Sequence, residues 1–180
     1  MNKKQLFDGI GEFGRTDRVY LYVLTEEDKE IFLSYKMNEG YKGNTYSEAY
    51  ANALWESANG ESILTFCIWN IETEEYLGFC NYSELNHEFP AIGIELVETA
   101  QNQGLGYEVC KLLLENYFEK TDMPYIRYEV MRSNVRSRHL AEKLGGKLKE
   151  INPLSDALVE RNEELPKEKR LDLSALLKMR

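Results

Sequence analysis

Cysteine, histidine and basic charge are all scarce in this chain of 180 residues. The three cysteines, Cys67, Cys80 and Cys110, are odd in number and form no C-x-x-C pair. They read as reduced thiols of a cytoplasmic protein rather than a disulfide framework. The two histidines, His87 and His139, are too few for a histidine-built site, and no metal is expected. No stretch approaches the roughly 18 apolar residues that a membrane span needs. The opening MNKKQLFDG has two lysines and no apolar run behind them, so it does not read as a signal peptide. Basic residues number 22 against 31 acidic ones, a net charge of −9. Binding nucleic acid regardless of sequence needs a basic face to displace counterions, so neither nucleic acid nor membrane is an expected partner. A cationic small molecule or a basic peptide suits the balance better.

Proline is also rare, and no repeat or low-complexity linker interrupts the chain. The length suits one domain with a real core over 1–180. Residues 18–24, RVYLYVL, are β-branched and aromatic and read as a strand. TEEDKEIFLSYKMNEG follows as a helix, with Thr25 as cap, Asp28 at the capping-box position and Gly40 as stop. SEAYANALWESANG reads the same way, from Ser47 to Gly60. Residues 63–85 read as two strands joined by a polar turn at 72–75, and 91–98, AIGIELVE, as a third. In GLGYEVCKLLLENYFEK, Leu105, Val109, Leu112, Leu113 and Tyr117 form a helical stripe. Residues 125–131 read as a strand, 134–144 as a helix capped by Asn134, and 146–151 as a short strand. Residues 153–170 are a charged loop or short helix, and LDLSALLKM beyond them a last strand. An exposed last strand could pair across two subunits into a homodimer. The order of elements gives a mixed α/β domain on one central sheet flanked by helices.

Two glycine clusters compete as phosphate cradles. A cradle needs a turn that follows a strand and opens a helix, so that free backbone N–H groups and the helix dipole converge on the anion. Residues 9–14, GIGEFG, match G-x-G-x-x-G but follow a short polar segment and lead into a strand. They read as part of a flexible N-terminal segment over 1–15. QNQGLG, from Gln101, has a strand before it and an amphipathic helix after it. The N–H groups of Gln103, Gly104, Leu105, Gly106 and Tyr107 would be free at that helix start. On physics alone the loop either binds phosphate or merely turns the chain.

Gln101-x-x-Gly104-x-Gly106 resembles the [R/Q]-x-x-G-x-[G/A] motif of the GNAT superfamily of N-acetyltransferases. NVRSRHLAEKLGG is similar to that family's N-x-x-S-x-x-x-x-E-K-x-G-F, with Asn134, Ser137, Glu142, Lys143, Leu144 and Gly145 in register. TDRVYLYVLTEEDKEIF and IGIEL resemble, more loosely, the ribosomal-protein N-terminal acetyltransferases of the RimJ/RimL type. Tyr22, Ile94 and Gly146 depart from that pattern, and Ala141 stands where many members carry a tyrosine. The resemblance implies a mostly antiparallel sheet in the GNAT fold. It implies an acyltransferase that moves acetyl from acetyl-CoA to a primary amine, a small molecule or a peptide N-terminus, by direct attack in a ternary complex. The cofactor residues it implies are the loop Gln101, Asn102, Gln103, Gly104, Leu105, Gly106 and Tyr107, the strand end Leu96, Val97 and Glu98, and Asn134 and Ser137.

Such a transfer needs a neutral amine, a polarised carbonyl and a proton for the leaving thiolate. Ser137 is the candidate acid, on one helix face with Leu140, Ala141 and Leu144, and it reads equally as a serine bonding its own helix. Asn134 reads as a cap or as a cofactor contact. Glu84, His87, Glu88 and Glu95 are candidate bases, with Glu95 ranked first. Tyr41, Tyr46, Tyr50 and Trp55, with Glu48 and Glu56, would suit a cationic, partly apolar acceptor, or Tyr50 and Trp55 are simply core. Two rival readings stay open. One is a catalytically silent GNAT domain that binds acetyl-CoA as sensor or scaffold, which Ala141 favours. The other is an interaction module whose glycines are purely structural.

Overall fold

The computed structural model describes residues 3–9, 11–39, 48–131 and 134–148. The chain divides into two compact units, Met1–Glu129 and Val130–Arg180.

The first unit is a six-stranded sheet whose strands lie in chain order. The strands are β1 (Glu12–Arg15), β2 (Val19–Val23), β3 (Leu64–Asn70), β4 (Tyr76–Ser83), β5 (Ala91–Leu96) and β6 (Arg127–Tyr128). All neighbours are antiparallel except β5 and β6. A parallel pair needs a crossover, and helix α4 (Leu105–Lys120) supplies it. The fold is therefore a mixed α/β, mostly antiparallel sheet flanked by helices, as the sequence implied.

Both faces of the sheet are covered, which is why β3 reads as an almost unbroken apolar run. On one face Phe66 packs with Phe13 and Tyr82, and the Tyr82 hydroxyl donates to the Leu113 carbonyl of α4 at 2.6 Å. A short helix α1 (Lys3–Leu6) is tied to the same helix by Lys120, whose Nζ donates to the Leu6 carbonyl at 2.7 Å. On the other face Cys67 and Phe79 pack against Leu24, Phe32, Trp55 and Ala58. Phe32 belongs to α2 (Lys29–Glu39), and Trp55 and Ala58 to α3 (Glu48–Asn59). Trp55 is thus core, and its Nε1 donates to Glu26 at 3.1 Å. A turn of 3-10 helix, Glu26–Asp28, opens α2, and Asp28 accepts from both the backbone N–H and the hydroxyl of Thr25.

Four readings change. Residues 12–15, placed in a flexible N-terminal segment, are edge strand β1, paired with β2 through Tyr20, Leu21 and Tyr22. The stripe of α4 buries Cys110 in place of Leu112, because Leu112 turns toward Gly14 at the sheet edge. The strand expected over 125–131 shrinks to two residues, since its ladder covers only Ala91 and Ile92 of β5. Residues 146–148 are not a strand, and Leu148 is 80% exposed. Gly40, Tyr41, Tyr46, Ser47 and residues 149–180, including the charged segment 153–170 and the last strand, lie outside the described residues.

The second unit contributes α5 (Val135–Lys143). Asn134 caps it, its Oδ1 accepting from the Ser137 N–H at 3.1 Å. Gly145 ends it at φ +86°, and the Gly146 N–H returns to the Ala141 carbonyl at 2.8 Å. Among the described residues no helix is long and apolar enough to cross a membrane.

Candidate functional site

β5 ends at Leu96, and the chain makes a 3-10 turn, Glu98–Ala100, before the loop. Ala100 is buried and pins this turn to the core. Gln101 folds back, its Nε2 donating to the Leu96 carbonyl at 2.9 Å, and Gln103 Nε2 donates to the Thr99 carbonyl at 2.6 Å. Asn102 and Gly104 take positive φ, +61° and +82°. Gly104 is the cap of α4 and has no side chain to offer its helix. Its carbonyl accepts from the N–H groups of Tyr107, at 3.0 Å, and Glu108.

Tyr107 is therefore engaged, contrary to the expectation that its N–H would be free. No acceptor among the described residues takes the N–H groups of Gln103, Gly104, Leu105 and Gly106. These are the orphan donors that any helix start leaves. Here they come in sequence, with the positive end of a 16-residue helix behind them. A Cβ on Gly104 would find only Arg18 within 4 Å, so the approach to these donors is open. Such a cradle fits the phosphates of acetyl-CoA.

The strand end offers less than expected. The Val97 N–H donates to the Leu77 carbonyl at 2.9 Å, and the carbonyls of Val97 and Glu98 accept from Ala100 and Gln101. With Val97 facing β4, strand alternation turns the Leu96 N–H to the opposite side, where the β6 ladder has already stopped.

Glu95 is half-exposed and paired with Lys36 of α2, 2.7 Å from carboxylate to Nζ. The same ammonium lies over the Phe79 ring, 4.6 Å from its centroid. Tyr35, Trp69 and Tyr76 continue this aromatic patch. The Tyr76 hydroxyl is buried with no hydrogen-bond partner among the described residues, and burial pushes its pKa up. The other candidate bases point elsewhere. Glu84 is ion-paired with Arg127, His87 accepts from the Phe89 N–H through Nδ1, and Glu88 is exposed. Ser137 belongs to the second unit. It is half-buried on one face of α5 with Leu140, Ala141 and Leu144.

Reading by local pattern missed Lys36, Tyr76 and above all Arg18. Arg18 stands in the TDRVYLYV stretch, but nothing local shows that its guanidinium reaches Gln103 and Glu108.

An open, mostly antiparallel sheet, with a loop and helix start between its fifth strand and the sixth, defines a mixed α/β class of protein. Within it, the chain belongs to the acetyltransferases with a GNAT domain, whose family model matches residues 18–147. Among solved structures it is similar to an acetyltransferase from Agrobacterium tumefaciens, at 21% identity over 82% of this chain and 90% of that one, TM-score 0.63. A second is a Vibrio cholerae protein assigned as a ribosomal-protein-serine acetyltransferase, at 19% over 77% and 85%, TM-score 0.62. A third is spermidine N-acetyltransferase of Vibrio cholerae in complex with CoA and spermine, at 17% over 72% and 81%, TM-score 0.59. No curated protein matches the chain in sequence.

Proposed function

We propose that the protein transfers the acetyl group of acetyl-CoA to a primary amine, on a small molecule or a peptide N-terminus, by direct attack in a ternary complex. The observation that carries this is the run of four N–H groups at the start of α4 that take no acceptor among the described residues, inside the family match. That match spans both units, which supports reading them as parts of one catalytic domain. Acetyl-CoA supplies the activated acyl group. The loop Gln101–Tyr107 binds its phosphates, and the Leu96 N–H is the strand-end donor left to hold the carbonyl. Glu95 draws the amine proton, directly or through water, and Ser137 returns one to the thiolate. Asn134 fixes the turn on which Ser137 sits. A net charge of −9 and the patch of Tyr35, Trp69, Tyr76 and Phe79 beside Glu95 suit a cationic acceptor. The spermine-bound neighbour supports that amine class.

The test is a thermal-shift titration with acetyl-CoA, with NADH as control, followed by thiol release against a panel of amines. A ligand at about 100 times its Kd adds roughly 2.7 kcal/mol, several degrees for a chain of this size. Acetyl-CoA alone should produce the rise, and Gly104→Glu should abolish it. A folded Gly104→Glu protein with full acetyl-CoA affinity overturns the proposal. Tight binding without turnover on any amine would move the protein to the silent class.

A further inference from the structure

Arg18 leaves the chain just before β2 and grips the loop from outside. Its Nη2 donates to the Gln103 carbonyl at 3.0 Å and to Glu108 Oε1 at 2.5 Å, while Nε donates to both carboxylate oxygens, at 3.1 and 3.3 Å. One guanidinium thus joins the sheet edge to the loop and to the first turn of α4.

Two consequences follow from elementary chemistry. In a planar trans peptide the carbonyl and the next N–H point in opposite directions. Holding the Gln103 carbonyl on Arg18 therefore fixes where the Gly104 N–H is aimed, in a residue whose glycine backbone would otherwise be the freest in the loop. The second consequence concerns charge. Glu108 places a carboxylate in the first turn of α4, where it is favourable to the helix but repels an arriving anion. The net charge of the whole chain, −9, adds to that repulsion rather than opposing it. The bidentate pair with Arg18 cancels it locally.

We infer that Arg18 is a positioning residue for phosphate capture: it orients the Gly104 N–H and neutralises Glu108. The inference rests on reading this loop as the acetyl-CoA cradle. The pair is 43% and 33% exposed, and exposed pairs contribute at most about 1 kcal/mol, so its loss should leave the fold intact.

The experiment measures direct binding of two ligands by calorimetry and NMR titration. One is acetyl-CoA; the other is acetylpantetheine, which keeps the thioester and lacks the phosphates. Arg18→Ala should bind acetyl-CoA about tenfold more weakly and acetylpantetheine unchanged, a loss of about 1.4 kcal/mol confined to the phosphates. Adding Glu108→Gln to Arg18→Ala should restore part of that loss, because the repelling charge is gone. Arg18→Lys keeps the charge but not the fork. It should fall between wild type and Arg18→Ala, and it serves if the alanine protein does not fold. Equal weakening of both ligands, or none for either, overturns the inference while leaving the cradle standing. A wild-type protein that does not bind acetyl-CoA overturns the cradle itself.

Discussion

Gly78 of β4 lies against the backbone of β5, opposite Leu96. It has φ +134°, and a Cβ there would lie 2.1 Å from the Glu95 carbonyl oxygen and 2.9 Å from Leu96 Cα. Both obstacles are backbone, so they cannot rotate away, and the strand carrying Glu95 and Leu96 would have to move. Overpacking and left-handed strain each cost roughly 1–3 kcal/mol. Gly78→Ala should therefore lose about 3 kcal/mol or more in urea unfolding; a loss below about 0.5 kcal/mol would refute the close approach. A glycine between Leu77 and Phe79 looks unremarkable in the sequence, because the atoms it must avoid are 17 residues away. Arg18 escaped for the same reason: its partners lie 85 and 90 residues on. Glu95 was legible as a carboxylate on an alternating strand, but its Lys36 partner comes from another element. Local pattern names the residue types a site needs, and the contacts that tune them belong to the tertiary fold.

At the scale of elements, the sequence read well where one face is apolar and the ends are capped. The existence of α4 and most of its stripe, Leu105, Val109, Leu113 and Tyr117, needed only the 3.6 period, and strands β3 and β4 only their apolar runs and a polar turn. Strand β1, EFGR, has neither period nor length, and exists because β2 offers it an edge. Helix α5 joins the two roles that Asn134 could play. Its cap bond to the Ser137 N–H, at 3.1 Å, is a structural fact. Replacing a capping Asn by Ala costs about 1 kcal/mol, whereas Asp caps as well as Asn. Asn134→Ala should therefore lower stability by about that amount, and Asn134→Asp should not. If Asn134 also faces the cofactor, as the family resemblance implies, the Asp variant sets a carboxylate against it. Acetyl-CoA affinity should then fall in both variants, and more than stability does in the aspartate. Unchanged affinity in Asn134→Asp would confine Asn134 to capping.

For the whole molecule, three buried thiols tie stability to pH. Cys67, Cys80 and Cys110 are each 0% exposed. Burial pushes the Cys110 thiol from its ordinary 9.0 up to about 12, and raises Cys67 and Cys80 in the same direction. The folded state keeps a proton that the unfolded chain gives up above about pH 9, so the unfolded state binds fewer protons there. The contribution of Cys110 is fully present below that pH and is lost as pH rises toward 12. Each thiol in this regime removes about 1.4 kcal/mol per pH unit. Buried Tyr82, also raised by burial, adds to the fall once unfolded tyrosines ionise, near pH 10. The urea midpoint should therefore drop steadily above pH 9, and Cys110→Ala should flatten that drop while lowering stability at pH 7 by a small cavity. The native protein at pH 8 should react with no thiol reagent until denatured, when all three cysteines become available. A midpoint that stays level to pH 11, or a fast-reacting native thiol, would mean that the packing of α4, which buries Cys110, or of the sheet, which buries Cys67 and Cys80, is looser than this. If the loop holds acetyl-CoA as proposed, the packing of α4 also sets the angle at which it presents its first turn to the phosphates. Alkaline loosening should therefore weaken acetyl-CoA binding before the sheet itself unfolds.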